Sequence, residues 1–320
     1  MVRGAVVQRG ALFAFIAFSC AAVEAQDFPV RPVRWVIGPS SDVVPRLIAQ
    51  HLSIAWHQQV VVDPRPGGQG MIAAEIVAKA APDGYTWLLS TAAYTIHAAL
   101  FPKAHYDVTR DFVPVARVGT GVFYLTAHPS LGAKTLSELI ALARAKPGQL
   151  RYASSGNGTP PHLAAEWLRY MTKTEFLHVP HKSVAGTVID TLSGQVHFSF
   201  IYGPSALPHI RSGKMIGLAV SSSKRSSAAP DIPTAAESGL AGFEVLGWNG
   251  VHAPKQTPQP VIARIAQAFA RVVDLAEVQE RMTAGGLEPG AQGQEAFDQF
   301  VRADYRRWSE VIKQAGIKPD

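Results

Sequence analysis

The 320-residue sequence predicts an α/β fold built as two related lobes. Three observations predict it: strand-like runs alternate with helix-like runs, the alternation restarts near the middle of the chain, and 47% of the residues are hydrophobic. Alternation of this kind is typical of βαβ units, so we expect a mostly parallel sheet covered by helices. The length and composition also favour two domains with separate cores.

The predicted elements follow one another in both lobes. In the first lobe, strands are expected at residues 33–37, 60–62 and 85–89, and helices at 44–54, 71–80 and 92–100. In the second, strands are expected at 150–153, 176–179, 196–201 and 215–220, and helices at 136–145, 160–171 and 185–192. A loop at 254–260 precedes an amphipathic helix at 261–273, and a final helix is expected at 295–314.

The N-terminus has the pattern of a secretory signal peptide. Basic Arg3 and Arg9 precede an apolar run at residues 11–18, and Val-Glu-Ala follows at 23–25. We expect cleavage after Ala25, because the apolar run is shorter than the roughly 20 residues that span a bilayer. Cys20 leaves one alternative, a lipoprotein cleaved before this cysteine, although Ala-Phe-Ser at 17–19 matches a lipobox poorly.

Charge and cysteine content argue against several classes of function. Cleavage removes Arg3, Arg9 and Glu24, which lowers the net charge from +6 to +5, and the remaining basic residues are scattered. Because no basic block alternates with aromatic residues, we expect no nucleic-acid partner, and a small anionic ligand suits this balance better. Cleavage also removes Cys20, the only cysteine, so the mature chain has neither a disulfide nor a cysteine nucleophile.

Two glycine-rich stretches each join a strand-like run to a helix-like run: Pro-Gly-Gly-Gln-Gly at 66–70 and Ser-Ser-Gly-Asn-Gly-Thr at 154–159. Glycine leaves backbone amides uncovered, and the start of a helix adds partial positive charge, so such a junction favours a bound anion. Thr159 is predicted to cap the second helix. Because the chain has no Gly-x-Ser-x-Gly elbow, Ser154 and Ser155 are expected to donate hydrogen bonds rather than act as nucleophiles.

Two motifs imitate cofactor or metal sites and fit them poorly. Gly68-x-Gly70-x-x-Ala73 resembles a dinucleotide fingerprint, but prolines intervene and no acidic residue ends the next strand, so a tight glycine turn is the ordinary interpretation. His178 and His181 have a spacing that metals use, yet on a strand they face opposite sides and no third ligand is nearby. We therefore predict no cofactor and no metal.

Further motifs resemble the Bug family, the solute receptors of tripartite tricarboxylate transporters. The matching segments are Arg65-Pro66-Gly67-Gly68-Gln69-Gly70, Pro82-Asp83-Gly84-Tyr85-Thr86, Asp111-Phe112-Val113-Pro114-Val115, residues 152–163 and 178–185, Ser193-Gly194-Gln195-Val196, Ala206-Leu207-Pro208-His209-Ile210, Glu237-Ser238-Gly239 and residues 248–258. They occur in order along nearly the whole mature chain, which makes the resemblance specific.

The resemblance implies a periplasmic receptor that performs no catalysis. Its fold would be the two-domain periplasmic binding protein fold, an α/β architecture with a ligand cleft between the lobes. The domains would be residues 26–125 with 246–320, and residues 126–245. The receptor would capture a small carboxylate as a monomer and deliver it to membrane permease subunits. A secreted α/β enzyme and a ligand-sensing receptor without its own permease are the alternatives.

The resemblance also implies a set of ligand-binding residues. These residues lie in the loop after the first strand, in the glycine-rich loop and its helix, in a third loop and at two further positions. They are Gly38, Ser40, Ser41, Asp42, Ser155, Gly156, Asn157, Gly158, Thr159, His162, His181, Ser183, Ala185, Ile201 and Trp248. The first of these loops is shorter than in most members, and its serines are expected to replace the lost amide contacts.

One departure from the family pattern bears on the ligand. Ile201 stands where many members have an aspartate. A buried ammonium group needs an anionic partner, because an unpaired buried charge is strongly disfavoured. We therefore predict a carboxylate with an apolar or aromatic body and no amino group, bound beside Tyr202 and Trp248. The alternative is that Asp42 or another acid supplies the missing charge.

Overall fold

The computed structural model describes residues 28–38, 40, 42–65, 67–101, 106 and 110–318. The predicted signal peptide with Cys20, and the predicted ligand residue Ser41, lie outside these residues. None of the helices in the described ranges is long and apolar enough to cross a bilayer.

Strands and helices alternate along most of the chain. The N-terminal elements are β1 (Val33–Ile37), α1 (Val43–Trp56), β2 (Val60–Pro64), α2 (Met71–Ala78), β3 (Thr86–Thr91), α3 (Ala92–Leu100) and β4 (Phe112–Ala127). Next come α4 (Leu136–Ala145), β5 (Arg151–Ser154), α5 (Pro160–Thr172), β6 (Leu177–Pro180), α6 (Val184–Ser193), β7 (Phe198–Tyr202), α7 (Gly203–Arg211) and β8 (Ile216–Val220). The last are β9 (Leu246–Pro254), α8 (Gln259–Val273), α9 (Ala276–Ala284), β10 (Leu287–Gln292) and α10 (Gln294–Ala315).

The strands form two parallel groups separated by antiparallel strands. Their order is β2-β1-β3-β9-β4-β7-β5-β6, with β8 and β10 also pairing with β4. The parallel pairs are β1 with β2 and β3, and β5 with β6 and β7. Every pairing of β4 and β9 is antiparallel. The predicted mostly parallel sheet is therefore wrong at its centre, where two long strands run against the rest.

Strand β4 connects the two groups, because its partner changes along its length. Residues 112–122 pair with β9, and residues 123–127 pair with β7. We call the group containing β1, β2 and β3 the first lobe and the group containing β5, β6 and β7 the second lobe. Sequence patterns missed β4 because Pro114, Gly119 and Gly121 interrupt it; the register shifts beside Pro114 and Gly119, where proline or glycine suits an irregular strand.

The hydrophobic core is continuous between the lobes. One buried cluster contains Val36 and Leu88 of the first lobe together with Phe198 and Phe200 of the second. The expectation of separate cores is wrong, because α3 and α10 contact α5 and so join the lobes on one side. Separate clusters do form on the opposite face of each lobe.

Candidate functional site

A cavity lies between the two lobes, where the parallel strands end and the following helices begin. Its volume is about 130 Å³, far more than the roughly 10–15 Å³ that one water molecule requires. The first lobe contributes Gly38, Thr91 and Tyr94, and the second contributes Ser155 and Thr159. The ends of parallel strands are where α/β folds usually place their ligands, so this cavity is the candidate binding site.

The first turns of five helices reach the cavity. Its lining includes Val44 of α1, Ala92 of α3, Pro160 of α5, Val184 of α6 and Pro204 of α7. The first N–H groups of a helix have no partner within the helix, and the helix dipole places partial positive charge there. Pro160 and Pro204 have no N–H, so at these positions α5 and α7 contribute the dipole and not a donor. Five such ends around one cavity make it favourable for an anion.

The described residues that line the cavity include no acidic side chain that could pair with a cation. None of the described residues that line it is Asp, Glu, Lys, Arg or His. An anion would therefore be held by helix ends, amides and hydroxyls, and an ammonium group would be buried unpaired. A lining without charged side chains, at which helix N-termini meet, suits an anion better than a cation.

Aromatic side chains form one wall of the cavity. Phe123 of β4 and Tyr202 of β7 have ring centroids 5.2 Å apart. Trp248 of β9 is buried edge-to-face against Phe297, with centroids 5.6 Å apart, and Phe200 completes the wall. Tight aromatic packing of this kind gives a fixed apolar surface for the body of a ligand.

Two glycines on the antiparallel strands make room for Tyr202. A Cβ atom at Gly121 would lie 2.5 Å from the Tyr202 hydroxyl oxygen, and one at Gly247 would lie 2.4 Å from a ring carbon. Any larger residue at either position would displace the ring. Burial raises the pKa of Tyr202, and the neighbouring Asn249 side chain partly opposes the shift, so the hydroxyl keeps its proton.

The C-terminal helix holds Trp248 in place. Trp248 Nε1 donates to Asp304 Oδ2 of α10 at 3.0 Å, and Thr95 Oγ1 of α3 donates to the same oxygen at 2.6 Å. Burial raises the pKa of Asp304, while these two hydrogen bonds oppose the shift. The Asp304 carboxylate therefore fixes both Trp248, which lines the cavity, and α3, whose first residues also line the cavity.

Internal hydrogen bonds fix the glycine-rich loop before α5. Gly156 and Gly158 have φ angles of +122° and +73°, which favour glycine. The Thr159 hydroxyl donates to the Gly156 carbonyl at 2.6 Å and makes no capping bond. The predicted cap is therefore right in position and wrong in bonding, because the first two helix positions are Pro160 and Pro161, which have no N–H to donate to the Thr159 oxygen.

Six of the predicted ligand residues line the cavity: Gly38, Ser40, Ser155, Thr159, Ile201 and Trp248. The side chains of Asp42 and His162 are engaged elsewhere. Asp42 Oδ2 accepts from Arg46 Nε at 2.6 Å, and His162 Nδ1 accepts from the Gly158 N–H at 3.2 Å. Gly156, Asn157 and Gly158 lie in the loop next to Ser155, outside the lining, and their contact with ligand stays a prediction.

The predicted third loop reaches the cavity through neighbouring residues. His181 Nε2 lies 3.0 Å from Asp190 Oδ2, and Ser183 caps α6 by accepting the Gly186 N–H at 3.3 Å. Ala185 is exposed, whereas Val184 and Thr187 line the cavity. The sequence placed the start of α6 correctly, but the packing of α6 decides which of its residues line the cavity.

Sequence reasoning missed several lining residues: Gly70, Thr91, Tyr94, Phe123, Thr187, Phe200, Ser205, Gly247 and Asn249. Tyr202, although not among the predicted ligand residues, was expected beside the ligand, and it lines the cavity. Two signals were available for others. Gly70 belongs to the glycine-rich stretch at 66–70, and Thr91 directly precedes a predicted helix.

Comparison with known proteins agrees with this architecture. Residues 44–317 match the family model described as "Tripartite tricarboxylate transporter family receptor". Protein BugT of Bordetella pertussis strain Tohama I is 34% identical over 313 residues, covering 96% of this chain and 96% of that protein.

Two solved structures are similar over most of the chain. R. palustris Rpa4515 with adipate has a TM-score of 0.88 and 33% identity, covering 92% of this chain and 100% of that one. The periplasmic binding protein BugD has a TM-score of 0.86 and 30% identity, with the same coverage. The matching family and BugD are binding proteins, not enzymes. Since the family model, the relatives and the two-lobed fold agree, the chain belongs to the Bug proteins, the receptor family of tripartite tricarboxylate transporters, which are periplasmic solute-binding proteins.

Proposed function

We propose that this protein captures a small carboxylate in the cavity between its lobes and delivers it to the permease subunits of a tripartite transporter. One observation carries the ligand class: five helix N-termini meet at a cavity whose described lining has no charged side chain. Adipate, the ligand named with the similar Rpa4515 structure, is an anion of the same kind.

The ligand lacks an ammonium group and has an apolar or aromatic body. Ile201 and the aromatic wall supply apolar surface. Asp42, the candidate replacement acid, bonds to Arg46 and is not part of the lining. An ammonium group in this cavity would lack a counter-charge, and this costs binding free energy.

The domain division at residues 125–126 and 245–246 is part of this proposal. The change of β4 partner from β9 to β7 at residues 122–123 supports a boundary there. The proposal also includes export to the periplasm, directed by a signal peptide that ends at Ala25. A monomeric state is also part of the proposal, and it is supported by a cavity lined by residues from both lobes of the same chain.

Calorimetric titration of residues 26–320 with adipate, malate, benzoate, 2-aminoadipate and glucose tests the ligand class. Adipate and 2-aminoadipate form a matched pair that differs by one ammonium group. We expect adipate to bind at least about tenfold more tightly, glucose not to bind, and no ligand to be converted.

Tighter binding of 2-aminoadipate, with that preference lost in Asp42→Asn, would show that Asp42 supplies the counter-charge. Binding of glucose alone, or steady conversion of any ligand, would contradict the receptor function. Delivery is tested by uptake of labelled ligand into cells with and without the receptor. Equal uptake in both would contradict the permease partnership.

A further inference from the structure

Tyr94 lines the cavity with a buried hydroxyl group that has no hydrogen-bond partner among the described residues. It is the third residue of α3 and lines the cavity, and its side chain is 3% exposed. Its hydroxyl oxygen is buried and makes no hydrogen bond with any residue that the structure describes. A buried hydroxyl without a partner is unfavourable, and an acceptor on a bound solute would satisfy it.

Two glycines create the space that the hydroxyl occupies. A Cβ atom at Gly38 would lie 3.1 Å from the Tyr94 hydroxyl oxygen, and one at Gly70 would lie 3.0 Å from it. Gly70 has a φ angle of +100°, which favours glycine in any case. The hydroxyl is therefore seated between the loops that follow β1 and β2, beside the cavity.

The surroundings of the hydroxyl favour a negatively charged acceptor. Ala92 and Ala93, the two residues before Tyr94, open the same first turn of α3, and the capping position, Thr91, makes no side-chain bond to their N–H groups. Ser40 lines the same side of the cavity, and its hydroxyl oxygen is also buried without a partner among the described residues. Hydroxyl donors and a helix N-terminus together form the type of site that binds a carboxylate.

The Tyr94 hydroxyl stays protonated and so remains a donor. Burial raises its pKa well above the ordinary value for tyrosine, and the nearby Tyr106 raises it further. A neutral donor can bind an anion without introducing a buried charge, which suits the uncharged lining described above.

We propose that Tyr94 is a ligand-binding and specificity-determining residue whose hydroxyl donates a hydrogen bond to a carboxylate oxygen of the solute at the start of α3. The inference rests on the proposed function. A solute without an acceptor at this point leaves the hydroxyl unpaired, and sites of this kind reject analogues that lack the acceptor. Ser40 is the second donor of the same subsite.

Tyr94→Phe tests the proposal, with Tyr106→Phe as its matched control. The Tyr106 hydroxyl is also buried without a partner among the described residues, and its ring centroid lies 6.0 Å from that of Tyr94, but it does not line the cavity. The probes are adipate, malate and benzoate, titrated calorimetrically. We expect Tyr94→Phe to weaken the tightest-binding acid roughly 10- to 100-fold and Tyr106→Phe to leave it unchanged.

Thermal unfolding without ligand separates binding from folding. Since the Tyr94 hydroxyl has no partner among the described residues, its removal is expected to leave the melting temperature unchanged or higher. Unchanged affinity in Tyr94→Phe, or an equal loss in Tyr106→Phe, would overturn this inference while leaving the carboxylate receptor in place. If the wild-type protein bound none of the three acids, the proposed function and this inference would both be overturned.

Discussion

His97 shows how a single buried residue makes stability depend on pH. Its ring lies parallel to that of Phe101, with centroids 4.9 Å apart, and neither ring nitrogen has a hydrogen-bond partner among the described residues. Burial lowers the pKa of His97 to about 4. Burial also lowers the pKa of His252, to about 3, so the two histidines act in the same direction.

The sign of the effect follows from proton binding. Between the folded pKa of His97, about 4, and the unfolded value of roughly 6.5, the unfolded chain binds more protons, so stability falls as the pH falls. Across that pH range, His97 lowers the free energy of unfolding by about 3 kcal/mol. We expect His97→Leu to remove this part of the acid destabilisation and to leave the free energy of unfolding at pH 7 unchanged or higher. Urea unfolding at a series of pH values measures both.

Exposed His57 provides the control for this measurement. Its φ angle of +50° suits asparagine, and His57→Asn is expected to keep the wild-type dependence on pH. The same acid loss in His97→Leu as in the wild type would contradict the role of His97.

At the scale of elements, the glycine-rich loop determines how α5 begins. Gly158 has a φ angle of +73°, and a β-branched residue there is strained by about 1–3 kcal/mol. We expect Gly158→Val to lose that stability and to abolish ligand binding, because Ser155 and Thr159 on either side line the cavity. Calorimetric titration and thermal unfolding measure the two effects.

Gly242→Val is the matched control for the loop. Gly242 has a φ angle of +81° in an exposed turn, with nothing within 4 Å of an added Cβ. It should lose similar stability and keep full affinity. If Gly158→Val also kept full affinity, the loop would serve the fold and not the ligand.

The contact between α10, α3 and β9 rests on Asp304. Asp304→Ala leaves the buried Trp248 N–H unpaired, which costs about 1–3 kcal/mol, whereas the Thr95 hydroxyl keeps the Ala92 carbonyl as an acceptor at 2.9 Å. We expect the variant to lose about 1–3 kcal/mol of stability and to change the fluorescence of the tryptophans. Urea unfolding with fluorescence detection measures both.

Asp298→Ala on the same helix is the control. Asp298 accepts from Arg302 at 2.8 Å, and the side chains of Arg302 and Asp298 are 51% and 37% exposed, so the loss is expected to stay under about 1 kcal/mol. Equal losses in the two variants would show that the Asp304 contacts have no special importance.

For the whole molecule, the continuous core predicts cooperative unfolding. Because one buried cluster contains residues of both lobes, we expect a single transition with coincident fluorescence and circular dichroism curves. A ligand at 100 times its dissociation constant should raise the free energy of unfolding by about 2.7 kcal/mol. Two separate transitions, with only one shifted by ligand, would indicate lobes that unfold independently.

The sequence by itself determined the strands and helices on either side of the central antiparallel strands. Local patterns were sufficient for strands such as β1 and β5, for helices such as α1 and α8, and for the strand-loop-helix junction at Ser155. These features depend on neighbours in sequence: apolar periodicity, glycine at turns and helix starts. The order of the family motifs was likewise readable, and it led to the correct family.

Tertiary structure decided the centre of the sheet and the lining of the cavity. Strands β4 and β9 satisfy their backbone groups against partners far away in sequence, so the proline and glycines that interrupt β4 hid it from local patterns. Tyr94, Tyr202 and Trp248 come from separate elements of both lobes. Burial and long-range packing decide which of these side chains lines the cavity and which polar group stays unpaired, and no local pattern encodes either.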